Sequence, residues 1–191
     1  MKHSAQLTSL IRELCSAANI KMKDIDAIAI SDGPGSYTGL RVGASTAKGI
    51  CLALNKPLIA ISTLKALAHE YIAQGERVMS TIDARRMEAY GAVFCKEESF
   101  ETKSWIWSEE IALGLSSEYS QLIICGNGIE KGKGFFEQYK NVDLRPSKCS
   151  ASHLVPLAYQ KYKASEFVNV AYHDPFYFKS PNITKSKKRL I

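Results

Sequence analysis

Residues 31–50 read SDGPGSYTGLRVGASTAKGI, which places five of the chain's twelve glycines in twenty positions. IDAIAI (25–30), a short isoleucine-rich run entered from KMKD, stands immediately before it and reads as a buried strand of a parallel sheet. Leu40, Ala44, Ala47, Cys51 and Leu54 fall on one helical stripe, predicting a helix from about 38 to 54. PLIAIS (57–62), after Lys56, then gives a second strand opened by Pro57. TLKALAHEYIAQ (63–74) gives a helix with Thr63 at the N-cap. Strand, glycine loop, helix, strand and helix form the βαβ rhythm of an α/β domain.

Upstream, Leu7, Leu10, Ile11, Leu14 and Ala18 mark an amphipathic helix over 3–18. Downstream, RVMSTID (77–83) and MEAYGAVFC (87–95) read as a hairpin closed by ARR. WIWSEEI (105–111) and QLIICG (121–126) are further strand candidates. GNGIEKGKGFFEQY (126–139) predicts a turn and a short helix. SASHLVPLAYQKYKAS (150–165) predicts a helix capped at Ser150 or Ser152, with Pro156 near its start. HDPFYF (173–178) and SPN (180–182) read as coil or edge strand. A boundary at QGER divides the chain into a first lobe, residues 1–75, and a second α/β lobe, residues 76–191, with an antiparallel element and a tail.

The loop fails the common phosphate fingerprints. Gly33 and Gly35 suit a dinucleotide loop, but Thr38 stands where the third glycine belongs and Gly39 comes one position late. A Walker A loop needs a lysine beside its last glycine, and the first lysine is Lys48, deep in the helix. Ser36 lacks the left-hand glycine spacing of a nucleophile elbow. The four histidines at 3, 69, 153 and 173 form no helical i, i+4 metal pair. Neither a catalytic residue, a cofactor site nor a metal site emerges from these patterns.

Gly43 and Gly49 inside a helix together cost about 2 kcal/mol relative to alanine, which close approach of another helix would offset. That neighbour is either internal, such as the 3–18 helix, or part of an intersubunit bundle. Asp83 with Arg85 and Arg86 is the one charged cluster among the strands. It reads either as an ion-paired turn or as a contact to substrate or RNA phosphate.

The remaining composition narrows the class. At 46% hydrophobic the 191 residues suffice for one large or two small cores. The net charge of +6 permits an acidic partner, although four of its charges fall in KSKKR (185–189). Five widely spaced cysteines without a CxxC suggest neither a disulfide framework nor a zinc knuckle. With no run of about 20 apolar residues and no signal-peptide pattern, a cytoplasmic protein without membrane contact is expected.

AIAISDGPGSYTGLRVGASTAKGICLALNKPLIAISTLKALA (27–68), IDARRMEAYGAVF (82–94) and DPFYF (174–178) resemble the TsaB (YeaZ) proteins of tRNA threonylcarbamoyladenosine biosynthesis, a glycoprotease-like family. The resemblance covers most of the chain. It implies an actin-like ATPase-domain (ribonuclease H-like) fold of two similar lobes. It also implies a protein that is not itself an enzyme but the scaffold of a TsaD-type threonylcarbamoyltransferase acting on the adenosine beside the anticodon. A TsaE-like ATPase joins through the complex, a homodimer is the alternative assembly, and tRNA is met only indirectly. The signature loop becomes Gly33, Pro34, Gly35, Ser36, Thr38 and Gly39. The partner-binding face becomes Leu7, Leu10, Ile11 and Leu14 with Leu40, Gly43, Ala44 and Ala47. Family members ordinarily begin with a strand bearing an Asp-Thr pair and a hairpin ahead of the first helix. The resemblance therefore also implies an N-terminally truncated first lobe and an open edge on the 25–30 strand. A nucleotide-binding hydrolase or protease acting through Ser36 and Thr38 is the competing function.

Overall fold

A computed structural model describes residues 3–96, 99 and 101–179. The tail KSKKR and the SPN turn lie outside the described residues. The chain runs α1 (His3–Ala17), β1 (Ile28–Gly33), α2 (Tyr37–Leu54), β2 (Leu58–Ser62), α3 (Thr63–Ala73), β3 (Val78–Asp83) and β4 (Glu88–Phe94). It continues with β5 (Lys103–Ile106), α4 (Glu109–Glu118), β6 (Leu122–Gly126), β7 (Val142–Arg145) and α5 (Val155–Lys163).

Two sheets result. β1 and β2 pair in parallel, and a five-stranded mixed sheet has the order β5-β4-β3-β6-β7. Within it β4 runs antiparallel to β3 and β5, while β6 runs parallel to β3 and β7. β3 and β6 are buried on both faces, so burial along them does not alternate: all of β6 and every β3 residue but Asp83 are buried, the polar Ser80 and Thr81 included.

Each sheet face has its own cover. α2 lays Ala44, Ala47 and Cys51 on Ile30 and Leu58, and the other face of β2 packs Ile59 and Ile61 on Ala66 and Leu157. α3 serves both sheets at once, because Leu64, Leu67 and Ala68 on its far side meet Val78, Ile82, Ala92 and Ile123. Behind the second sheet, Trp107, Ala112, Leu115 and Phe136 close a core over Met79, Val93 and Ile124. Gly126, at φ +91°, turns the chain where a Cβ would overlap the Thr81 carbonyl.

Several expectations need correcting. Ser62, not Thr63, caps α3, accepting from the Lys65 N–H at 3.4 Å. Only the first half of WIWSEEI is strand. Ser108 accepts from the Ile111 N–H and starts α4, with Glu109 and Glu110 in its first turn, where carboxylates favour a helix N-terminus. β7 had no sequence signal, since only Val142 is buried in a four-residue edge strand. Residues after 150 return to the first sheet. α5 packs on β2, and the Val168 N–H donates to the Leu58 carbonyl at 2.9 Å. The chain thus comes back from the second sheet to the first after residue 150, before Phe178 and Lys179 reach β4 of the second.

Candidate functional site

β1 leads straight into the glycine loop. Its pairing with β2 shifts register between Ser31 and Gly33, at the start of the turn. The Thr63 hydroxyl accepts from the Gly33 N–H at 3.2 Å and shares a hydrogen bond with the Ser31 hydroxyl. The Gly33–Pro34 peptide is cis. Ser36 caps α2 by accepting from the Gly39 N–H at 3.3 Å, so its hydroxyl has a structural task. Gly33 and Pro34 are buried; Ser36, Thr38 and Gly39 are exposed. Ser31 and Thr63 also line a pocket of about 230 Å³ with Cys149 and His153. That lies below the roughly 300–1,000 Å³ usual for small-molecule sites.

A strap formed by residues 169–179 lies over the loop. The Phe176 N–H donates to the Asp32 carbonyl at 2.7 Å, and His173 Nε2 lies 2.8 Å from Asp32 Oδ1. Lys48 Nζ donates to the Ala171 and His173 carbonyls at 3.2 and 2.8 Å. Tyr177 packs on Tyr37, with ring centroids 4.8 Å apart, and Phe178 reaches Tyr90 of β4 at 5.1 Å. Lys179 bonds Glu88, which Ser104 also contacts. Together they hold that carboxyl below its ordinary value. The strap therefore joins the loop of the first sheet to a strand of the second. Sequence reasoning missed Asp32, Lys48 and His173, whose partners lie more than 120 residues away.

The helical face divides in two. Leu40, Ala44 and Ala47 are buried, the two alanines with Ile30 and Leu58 of the chain's own sheet and Leu40 beside Gly33 and Gly35 of the loop. Gly43 and Gly49 differ: among the described residues nothing lies within 4 Å of a Cβ built at either. On α1, Leu7 and Ile11 are half-buried, whereas Leu10 and Leu14 are 55% and 69% exposed. Leu52 on α2 is also 69% exposed. Among the described residues, no helix is long and apolar enough to cross a membrane.

A family model described as TsaD, tRNA N6-adenosine threonylcarbamoyltransferase, matches residues 1–104, more than half of the chain. The chain belongs to the glycoprotease-like family of TsaD and TsaB. Within that family several of its curated relatives carry the TsaB name. The tRNA threonylcarbamoyladenosine biosynthesis protein TsaB of Escherichia coli is 25% identical over 94% of this chain and 81% of its own length. That of Haemophilus influenzae is 28% identical over 93% of this chain and 80% of its own. The solved structure of YeaZ from Pseudomonas aeruginosa superposes with a TM-score of 0.71 at 25% identity. The match covers 93% of this chain and 86% of YeaZ. The actin-like α/β fold expected for TsaB and YeaZ proteins is thus the fold of this chain.

Proposed function

We propose that this chain is a TsaB-type component of tRNA threonylcarbamoyladenosine biosynthesis, acting as the non-catalytic partner of a TsaD-like enzyme in the cytoplasm. α1 and α2 form the contact. The observation that carries this reading is the exposed pair Leu10 and Leu14 on α1, together with the open space that the described residues leave at Gly43 of α2. A helical glycine that costs stability, with none of the described residues within 4 Å of a Cβ built on it, leaves room for the side chains of another helix. A TsaE-like ATPase joins through the assembled pair, and a homodimer on the same face is its resting alternative. The capped Ser36 hydroxyl offers no support to the hydrolase reading.

Co-purification with the TsaD-like enzyme tests this. Gly43→Trp fills the open space without entering the chain's own core, and it should weaken association by roughly 5- to 150-fold, the scale of overpacking a helix contact. Leu14→Glu should act in the same direction. Undiminished co-purification by both variants, each folded, would refute the assigned face.

A further inference from the structure

The β3–β4 hairpin carries an arrangement that the partner face does not use. Its loop, Arg85–Met87, is closed by the Ala84 N–H donating to the Glu88 carbonyl and the Glu88 N–H donating to the Arg85 carbonyl, each at 3.0 Å. Arg85 and Arg86 at its tip have φ of +74° and +51°. Consecutive left-handed residues are ordinarily glycine or asparagine, and arginine there strains the backbone.

Both arginines are exposed, and among the described residues neither guanidinium has an acidic partner. The nearby carboxylates are already engaged. Asp83 accepts from Lys131 Nζ at 2.6 Å and from the Arg85 backbone N–H at 2.8 Å, while Glu88 is held by Lys179 and Ser104. The Asn127 side chain accepts from the Asp83 N–H at 3.1 Å and anchors the base of the turn. Asp83, Arg85, Arg86 and Lys131 together leave two positive charges on a braced tip.

We infer that the Arg85–Arg86 tip is a contact for the phosphodiester backbone of RNA. This rests on the proposed role in tRNA modification and departs from an indirect encounter with tRNA. Guanidinium forks match phosphate oxygens in a bidentate way, and a chain of net charge +6 favours the approach of a polyanion. The contact positions the RNA without reading its sequence, because it engages phosphates rather than base edges.

The test measures binding of fluorescently labelled tRNA to the full chain over a salt series. It compares the wild type, the double variant Arg85→Asn with Arg86→Gly, and Arg85→Lys with Arg86→Lys. The Asn-Gly variant suits the left-handed backbone, so its thermal midpoint should rise while tRNA binding falls about tenfold. The slope of log affinity against log salt should shrink by roughly 1.5, the share of two phosphate contacts. The lysine pair should keep that slope and bind more weakly than wild type, having charge without the fork. Absence of tRNA binding by the wild type, or undiminished binding by the Asn-Gly variant, overturns the inference. So does loss of co-purification with the TsaD-like enzyme in that variant while tRNA binding persists, an outcome that assigns the tip to an acidic protein surface. Failure of the helical face is separate, because it would show as undiminished co-purification of Gly43→Trp and Leu14→Glu and leave the tRNA titration untouched.

Discussion

Replacing Gly33 by alanine probes the junction of loop and strap. Its φ of +111° lies where L-residues are strained, a cost of about 1–2 kcal/mol. The added Cβ would also overlap the Phe176 carbonyl oxygen, which is backbone and cannot rotate aside. Relief requires the strap to move away, stretching the 2.7 Å bond from the Phe176 N–H to Asp32 and disturbing the neighbouring His173–Asp32 contact. Losing one such bond costs about 1 kcal/mol, and disturbing a second adds a similar amount. The expected destabilisation is about 3–4 kcal/mol, or a fall of roughly 10 °C in the thermal midpoint of a chain this size. Gly35→Ala is the internal control. A Cβ there meets only Leu40 side-chain carbons at 3.9 Å, an ordinary contact, so it should change stability by less than about 1 kcal/mol. Urea unfolding gives the free energies, and amide exchange at Phe176 reports the strap. Equal destabilisation by the two variants, or unchanged Phe176 protection in a destabilised Gly33→Ala, would refute the steric argument.

Thr63→Val keeps the side-chain shape but removes the oxygen that accepts from the buried Gly33 N–H. Urea unfolding should show a loss of about 1–3 kcal/mol, and an unchanged midpoint would mean another acceptor replaces it. Hydrogen bonds from Lys179 and Ser104 lower the Glu88 pKa below its ordinary 4.5. The pairing therefore stabilises the fold fully above that value and loses its effect as pH falls through the lower folded-state pKa. Lys179→Met should flatten this part of the acid dependence in denaturant midpoints taken between about pH 6 and 3, and a parallel pH profile would exclude the pair as its source.

Much of the fold was legible because its signals are local. The isoleucine run of β1, the small-residue stripe of α2 and the apolar run of β6 each announce an element locally. The misreadings follow from what local patterns omit. Trp105 and Trp107 look like continuous strand, but Ser108 followed by two glutamates is a helix start. The strap is a string of aromatics without period. Its meaning comes from Asp32 and Lys48, far away in the chain, so periodicity had nothing to detect. The same limit divided the α2 stripe. Small residues say that something comes close without saying what. At Ala44 and Ala47 the neighbour is the chain's own sheet, whereas at Gly43 the described residues place nothing within 4 Å of a Cβ. That distinction moves the weight of the partner-face argument from the alanines to Gly43 and the exposed leucines. It also orders the mutations: a bulky residue at Ala44 overpacks the chain's own core, whereas one at Gly43 starts from space that the described residues leave open and is the cleaner report on a partner.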